Sequence, residues 1–207
     1  MEIRNNDILS YVNTESNVPK KNSLWGSMTV MLMVCIPSAI FGVYANITKV
    51  TLLSMVVVFS IWIFYLLVNT ENKKNQYILF LGIFSGFISL SYMLAAYKVA
   101  SSAMNVSSFY IIITLIVYLL TNIVSILNVT RLIKKGYYNV QRKTENPMGI
   151  IFAMSILGLG AGRAMVGNVN QDVAVTILVT CLIFMGFLHS IGTHNILKYY
   201  LAKKVHG

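Results

Sequence analysis

The sequence predicts an all-α, polytopic integral membrane protein whose six transmembrane helices form three hairpins, with both termini in the cytoplasm. Three observations predict it. The 207-residue chain is 57% hydrophobic and 11% charged, with a mean hydropathy of +0.71, where a soluble domain carries about 25% charged residues. Its apolar residues gather into six runs, each near the roughly 20 residues a helix needs to cross a hydrocarbon core of about 30 Å. Its cations, finally, fall mostly on alternate junctions between those runs.

The elements follow in order. Residues 1–23 are a polar cytoplasmic tail in which Ile3, Ile8, Leu9 and Val12 have the spacing of a short interfacial helix, with disorder as the alternative. The first span, 24–45, starts after Pro19, Lys20 and Lys21; a secretory signal would begin earlier and end at a small-residue cleavage site, so a retained helix is expected. The others are 50–68, 77–97, 109–127, 147–166 and 173–191, separated by polar segments too short for an extramembrane domain. Residues 24–197 thus make one membrane domain, and 198–207 a basic cytoplasmic C-terminal tail.

Sixteen Lys and Arg against six Asp and Glu give a net charge of +10, which in a soluble protein would suggest nucleic acid. Position resolves the excess differently. Lys and Arg mark the cytoplasmic side of short loops, and a six-helix topology puts 13 of them on the side of both termini. Only Lys49, Lys98 and Arg163 fall on the other. Aromatic residues at the interfaces, among them Trp25, Tyr77 and Tyr137 inside and Tyr44, Tyr97 and Phe109 outside, agree. The lipid bilayer is therefore the expected partner of this charge, and nucleic acid is not. The five cations between Arg131 and Lys143 read as a topology signal and an anionic-lipid contact.

Small residues four apart recur in the first helix of each hairpin: Ser38 and Gly42, Gly82 and Gly86, Gly158 and Gly162. Such spacing lets helix backbones approach closely in lipid. Gly82, Ser85, Gly86 and Ser89 extend one pair into a stripe that should face protein. The second helix of each hairpin opens on Asn46-Ile47-Thr48, Asn105-Val106-Ser107 or Asn168-Val169-Asn170. Capping chemistry explains this likeness; tandem duplication of the hairpins is the alternative.

No acid falls at mid-depth in any span: all six lie in tails or loops. That removes the buried carboxylate on which ion pumps depend and the acid needed by carboxylate proteases and HExxH zinc enzymes. Walker, dinucleotide and GxSxG motifs are absent from the sequence. Cys35 and Cys181 lie mid-span, but His189 is eight residues beyond Cys181, about 12 Å along a helix, so both read as packing thiols. His189 and His194 lack a third ligand at their depth. No catalytic residue, metal or cofactor is expected, and the chain does not read as an enzyme. The candidate functional residues are Arg163, Lys98, Asp172, Asn122 and His189. Arg163 is expected to snorkel or to pair with Asp172, with an external anion or peptide site shared with Lys98 as the alternative. Asn122, the deepest strong polar group, is expected to bond to another helix, worth about 1 kcal/mol.

The expected function is that of a multi-pass plasma-membrane protein acting through a membrane protein partner or as a homo-oligomer. It would serve as an accessory subunit or as an immunity-type protein against a membrane-active toxin. The alternative is a small-solute binding or transport subunit using Ser85, Ser89, Asn122 and Arg163. A bias toward Ile, Asn and Lys with short loops points to a bacterial cytoplasmic membrane. In size and number of spans the chain is similar to the small six-helix substrate-binding subunits of modular vitamin importers and to short permease subunits of bacterial exporters. That likeness covers architecture alone and carries over no site.

Overall fold

The computed structural model describes residues 5–13, 21–68, 73–104, 107, 109–139 and 171–206. The described residues are helical: α1 (Asn5–Asn13), α2 (Lys21–Ile40), α3 (Ala45–Val68), α4 (Lys74–Met104), α5 (Phe109–Lys134), α6 (Gln171–Ser190) and α7 (His194–His206). Short 3₁₀ turns occupy Tyr137–Asn139 and Ile191–Thr193. Five segments are long and apolar enough to cross a membrane, α6 and α7 counting as one through their connecting turn. The expected span at 147–166, with Gly158, Gly162 and Arg163, lies outside the described residues.

Several boundaries depart from expectation for identifiable reasons. α2 ends at Ile40, not Ala45, because Gly42 adopts the left-handed conformation (φ 81°) that terminates helices. Gly42 is thus a turn residue and not a member of a helix seam. The N–H of Phe41 closes the last turn on the carbonyl of Pro37 at 3.0 Å, and α3 starts four residues later. α4 runs 31 residues, about 46 Å at 1.5 Å per residue, because Lys98 continues the helix instead of ending it. α5 continues to Lys134 and stops at Gly136, again left-handed (φ 67°).

α4 is the hub of the bundle, touching α2, α3, α5, α6 and α7. On one flank its Tyr77, Phe80, Phe84 and Ile88 meet Leu24, Met31 and Cys35 of α2 and Phe59, Ile63 and Leu66 of α3. Phe59 stacks on Phe87 at 4.9 Å and meets Phe84 edge-on at 5.6 Å. In lipid such contacts stabilise through dispersion and fit, since hydrocarbon is as apolar as the side chains it replaces.

On the other flank α4 packs on α6 more extensively than on α5, its neighbour in sequence. Gly186 of α6, whose added Cβ would lie 3.2 Å from Met93 and 3.3 Å from the Ser89 carbonyl, permits the close approach, whereas α5 directs bulky Ile, Leu and Val side chains outward and has no fully buried residue in its apolar window.

The two ends of the bundle are chemically distinct. At one end Ser23 shares a 3.1 Å hydrogen bond with Tyr77. There the expected cytoplasmic tails are helical: Ile8, Tyr11 and Val12 of α1 pack with Val129 and Ile133 of α5 and Leu201 and Ala202 of α7. Asn139 donates to the Asp7 carboxylate at 2.7 Å, joining the turn after α5 to α1. Burial, aided by neighbouring Tyr137, pushes the Tyr138 phenol up from its ordinary value, and its ring lies 4.8 Å from that of Tyr11, tilted by 57°. The opposite end holds the α2–α3 turn and the C-terminal part of α4. The antiparallel run of α6 and then α7 along α4 places Ser89 against Gly186 and Gly82 against Ile196, so α6 begins at the end opposite to that where α5 finishes.

Candidate functional site

A single cation organises the second end. Lys98 is 3% exposed and its ammonium donates to the carbonyls of Ser38 at 2.6 Å and Phe41 at 3.0 Å and to Thr48 Oγ1 at 2.6 Å. The last carbonyls of a helix have no intrahelical donor and carry the negative end of its macrodipole. Lys98 supplies three donors to the point where α2 ends and α3 begins. The expectation of an outer-loop cation is therefore corrected. An ammonium with every proton bonded inside the protein stays in a helix because the neighbouring helix end solvates it. Gly42 belongs to the same node, since a Cβ there would lie 3.1 Å from Lys98 Cβ. Ser38 contributes its carbonyl to Lys98 and turns its hydroxyl back to Val34 at 2.7 Å.

Beside this node a cavity of about 610 Å³ opens between α2, α4 and α6, lined chiefly by Met33, Pro37, Phe41, Tyr92, Val99 and Leu182, with Lys98 and Ser102 among its few polar walls. Its size falls within the range of about 300–1,000 Å³ typical of small-molecule pockets. Behind it, the Cys35 thiol donates to Ser91 Oγ at 3.5 Å, which in turn donates to the Phe87 carbonyl at 2.9 Å. Cys181 is exposed on α6, and both thiols are free.

The stripe on α4 meets residues 186–196. Ser89 is fully buried and donates to the Gly186 carbonyl at 2.7 Å. Ser85 sits so close to Gly192 that no Cβ fits there. A Cβ on Gly82 would stand 2.7 Å from the Ile196 backbone nitrogen, and one on Gly86 would stand 3.3 Å from the Tyr118 hydroxyl. That hydroxyl reaches across from α5 to donate to the Gly86 carbonyl at 3.0 Å.

Asn122 behaves differently from expectation. Its amide nitrogen bonds within its own helix, to the Tyr118 carbonyl at 2.7 Å, and its buried Oδ1 has no partner among the described residues. Tyr118, one turn earlier and with a longer reach, makes the link to α4 instead. His189 Nδ1 bonds to the Met185 carbonyl at 2.9 Å, and its ring lies 5.2 Å from Tyr92. Asp172 is exposed in the first turn of α6.

The structure thus brings Lys98, Ser38 and Gly42 together at one node, and Gly82, Ser85, Gly86 and Ser89 along one seam. It does not unite Asn122 or His189 with either Lys98 or Asp172 by any hydrogen bond. Among the described residues no group of three His, Cys, Asp or Glu side chains could hold a metal. Sequence reasoning missed Tyr118, Ser91, Gly186 and Gly192. The two glycines, six residues apart on the last span, were the available signal. No family model, curated protein or solved structure matches the chain.

Proposed function

We propose that the protein is a six-span plasma-membrane protein, arranged as three hairpins with both termini cytoplasmic, that acts by contact with a membrane protein partner and not by catalysis. The observation that carries this reading is the disposition of its interior polar side chains. Lys98, Ser89, Tyr118 and Cys35 each donate to a group on a neighbouring helix. A polar interior used in this way holds helices in register and leaves few groups to bind or transform a solute. The 13-to-3 division of cations supports the orientation. The meeting of α1 with α7 at one end supports placing both termini on one side. A sixth span at 147–166 satisfies the parity between the end of α5 and the start of α6. An accessory subunit of an export complex and an immunity-type protein of a bacterial cytoplasmic membrane both fit this design.

Purification of the full chain from its native host in mild detergent tests the proposal. Stoichiometric recovery of one membrane protein, lost when the lipid-facing surface of α5 is disrupted by Leu119→Trp with Ile123→Trp, is the expected result. A lone monomer that co-purifies with a small molecule would overturn it. That second outcome belongs to the reading favoured by the cavity beside Lys98, a binding subunit for an apolar small molecule.

A further inference from the structure

The end of the bundle formed by α1, α5 and α7 carries a surface that the partner reading does not use. α7 divides into two faces. Leu197, Leu201, Ala202 and Val205 pack inward on α1 and α5. On the opposite arc Tyr200 and Lys203 are exposed, and Lys204 is exposed at the edge of the inward face. α5, whose Val129 and Ile133 share the cluster with α7, ends with Arg131, Lys134 and Lys135 exposed. Two helix ends rooted in one apolar cluster therefore present five cations, with an aromatic ring on the membrane side of α7's pair. The one acid described at this end, Asp7, is buried and bonded to Asn139. With every acid from the tails and loops of this side counted, the sequence balance there is 13 cations to 5 acids. A crevice of about 330 Å³ lies between α1 and α7, with Ile8, Leu9 and Val205 as apolar walls and Lys204 at its rim.

We infer that this corner is a binding surface for anionic phospholipid headgroups of the leaflet it faces. Charge complementarity selects the occupant. Clustered Lys and Arg beside a span attract anionic headgroups, and an interfacial Tyr sets the depth of the helix. α7 is then an interfacial helix that clamps lipid against the end of α5, and α1 completes the clamp from inside. The inference rests on membrane residence and is independent of the partner reading, so the failure of either leaves the other standing.

The test uses the full chain in nanodiscs of phosphatidylcholine, with spin-labelled phosphatidylglycerol or phosphatidylcholine as the probe and the motionally restricted fraction as the readout. The wild type is expected to hold phosphatidylglycerol several-fold more strongly than phosphatidylcholine at about 0.1 M salt and to lose most of that preference at about 1 M, where the Debye length falls to about 3 Å. The variant K134Q/K135Q/K203Q/K204Q should reduce the preference by at least about threefold. K134R/K135R/K203R/K204R should keep it, and K49Q, at the other end, should leave it unchanged. A wild type without preference, a preference insensitive to salt, or a glutamine variant that selects as the wild type does would each overturn the inference. If the glutamine variant fails to fold, the salt series on the wild type decides alone.

Discussion

One added methyl group, placed at three glycines, measures how closely α4 and the last membrane segment are packed. At Gly82 the new Cβ would lie 2.7 Å from the Ile196 nitrogen, a backbone atom with no freedom to rotate aside. Restoring an ordinary contact of 3.4 Å requires a retreat of about 0.7 Å, and a gap of that size forfeits a quarter to a half of the dispersion well along the separated surfaces. Overpacking of this kind costs about 1–3 kcal/mol. Glycine-to-alanine replacement inside a helix returns up to about 1 kcal/mol of propensity. Gly82→Ala should therefore destabilise by about 1–2 kcal/mol. At Gly86 the nearest atoms are the Tyr118 hydroxyl at 3.3 Å and Thr193 Cγ2 at 3.4 Å, both on side chains that can yield, so the two effects should cancel to within about 0.5 kcal/mol. At Gly26 nothing lies within 4 Å, and alanine should stabilise by up to about 1 kcal/mol. Equilibrium unfolding in mixed micelles, followed by far-ultraviolet circular dichroism as denaturing detergent is increased, gives the three values. A Gly82→Ala protein as stable as Gly26→Ala would refute a close α4–α7 seam.

Other perturbations address the remaining features. Lys98→Met leaves the Ser38 and Phe41 carbonyls without their donor; after allowance for relief of the buried charge, it should cost about 2 kcal/mol in the same unfolding assay. Stability equal to wild type would show that the ammonium does not cap α2. Asn122→Leu removes a carbonyl oxygen that has no partner among the described residues, so the isolated chain should be unchanged or stabilised by up to about 1 kcal/mol. A marked loss would mean that another group satisfies that oxygen. Val12→Ala, at a site 2% exposed in the α1–α5–α7 cluster, should cost about 1 kcal/mol and accelerate amide exchange in α7; unchanged exchange would detach α1 from that helix.

The long apolar runs were legible because hydrocarbon demands about 20 residues of one kind from each crossing helix, and five of the six expected runs coincide with long helices. The ends were less legible. Lys98 marks a boundary only if a lysine in a span lacks acceptors, and its acceptors come from a helix end 50 to 60 residues earlier. The stop at Ile40 was available in principle, since Gly42 follows it at the position where helices turn left-handed. The polarity of 198–207 suggested a free tail, yet Leu201, Ala202 and Val205 recur at helical spacing and meet an apolar surface built by α1 and α5. The stripe of Gly82, Ser85, Gly86 and Ser89 signalled that α4 packs on protein. Which helix it meets could not be read, because the complementary glycines at 186 and 192 lie about a hundred residues away and are sparse.

The closure of the α1–α7 end also constrains the order in which the chain is assembled. Tyr11 donates to the carbonyl of His194 across a separation of 183 residues, and the surface that receives α1 is built from Val129, Ile133, Leu201 and Ala202. Chains are synthesised from the N-terminus onward, so the first helix to be made is the one whose resting place is completed last. Before α7 is made, α1 can dock only on the end of α5 and the turn at Tyr137–Asn139. Its full seating therefore requires α7, and a chain halted before residue 201 would leave Ile8, Tyr11 and Val12 without Leu201 and Ala202 to cover them, a partly exposed apolar patch of the kind that quality-control proteases and chaperones engage.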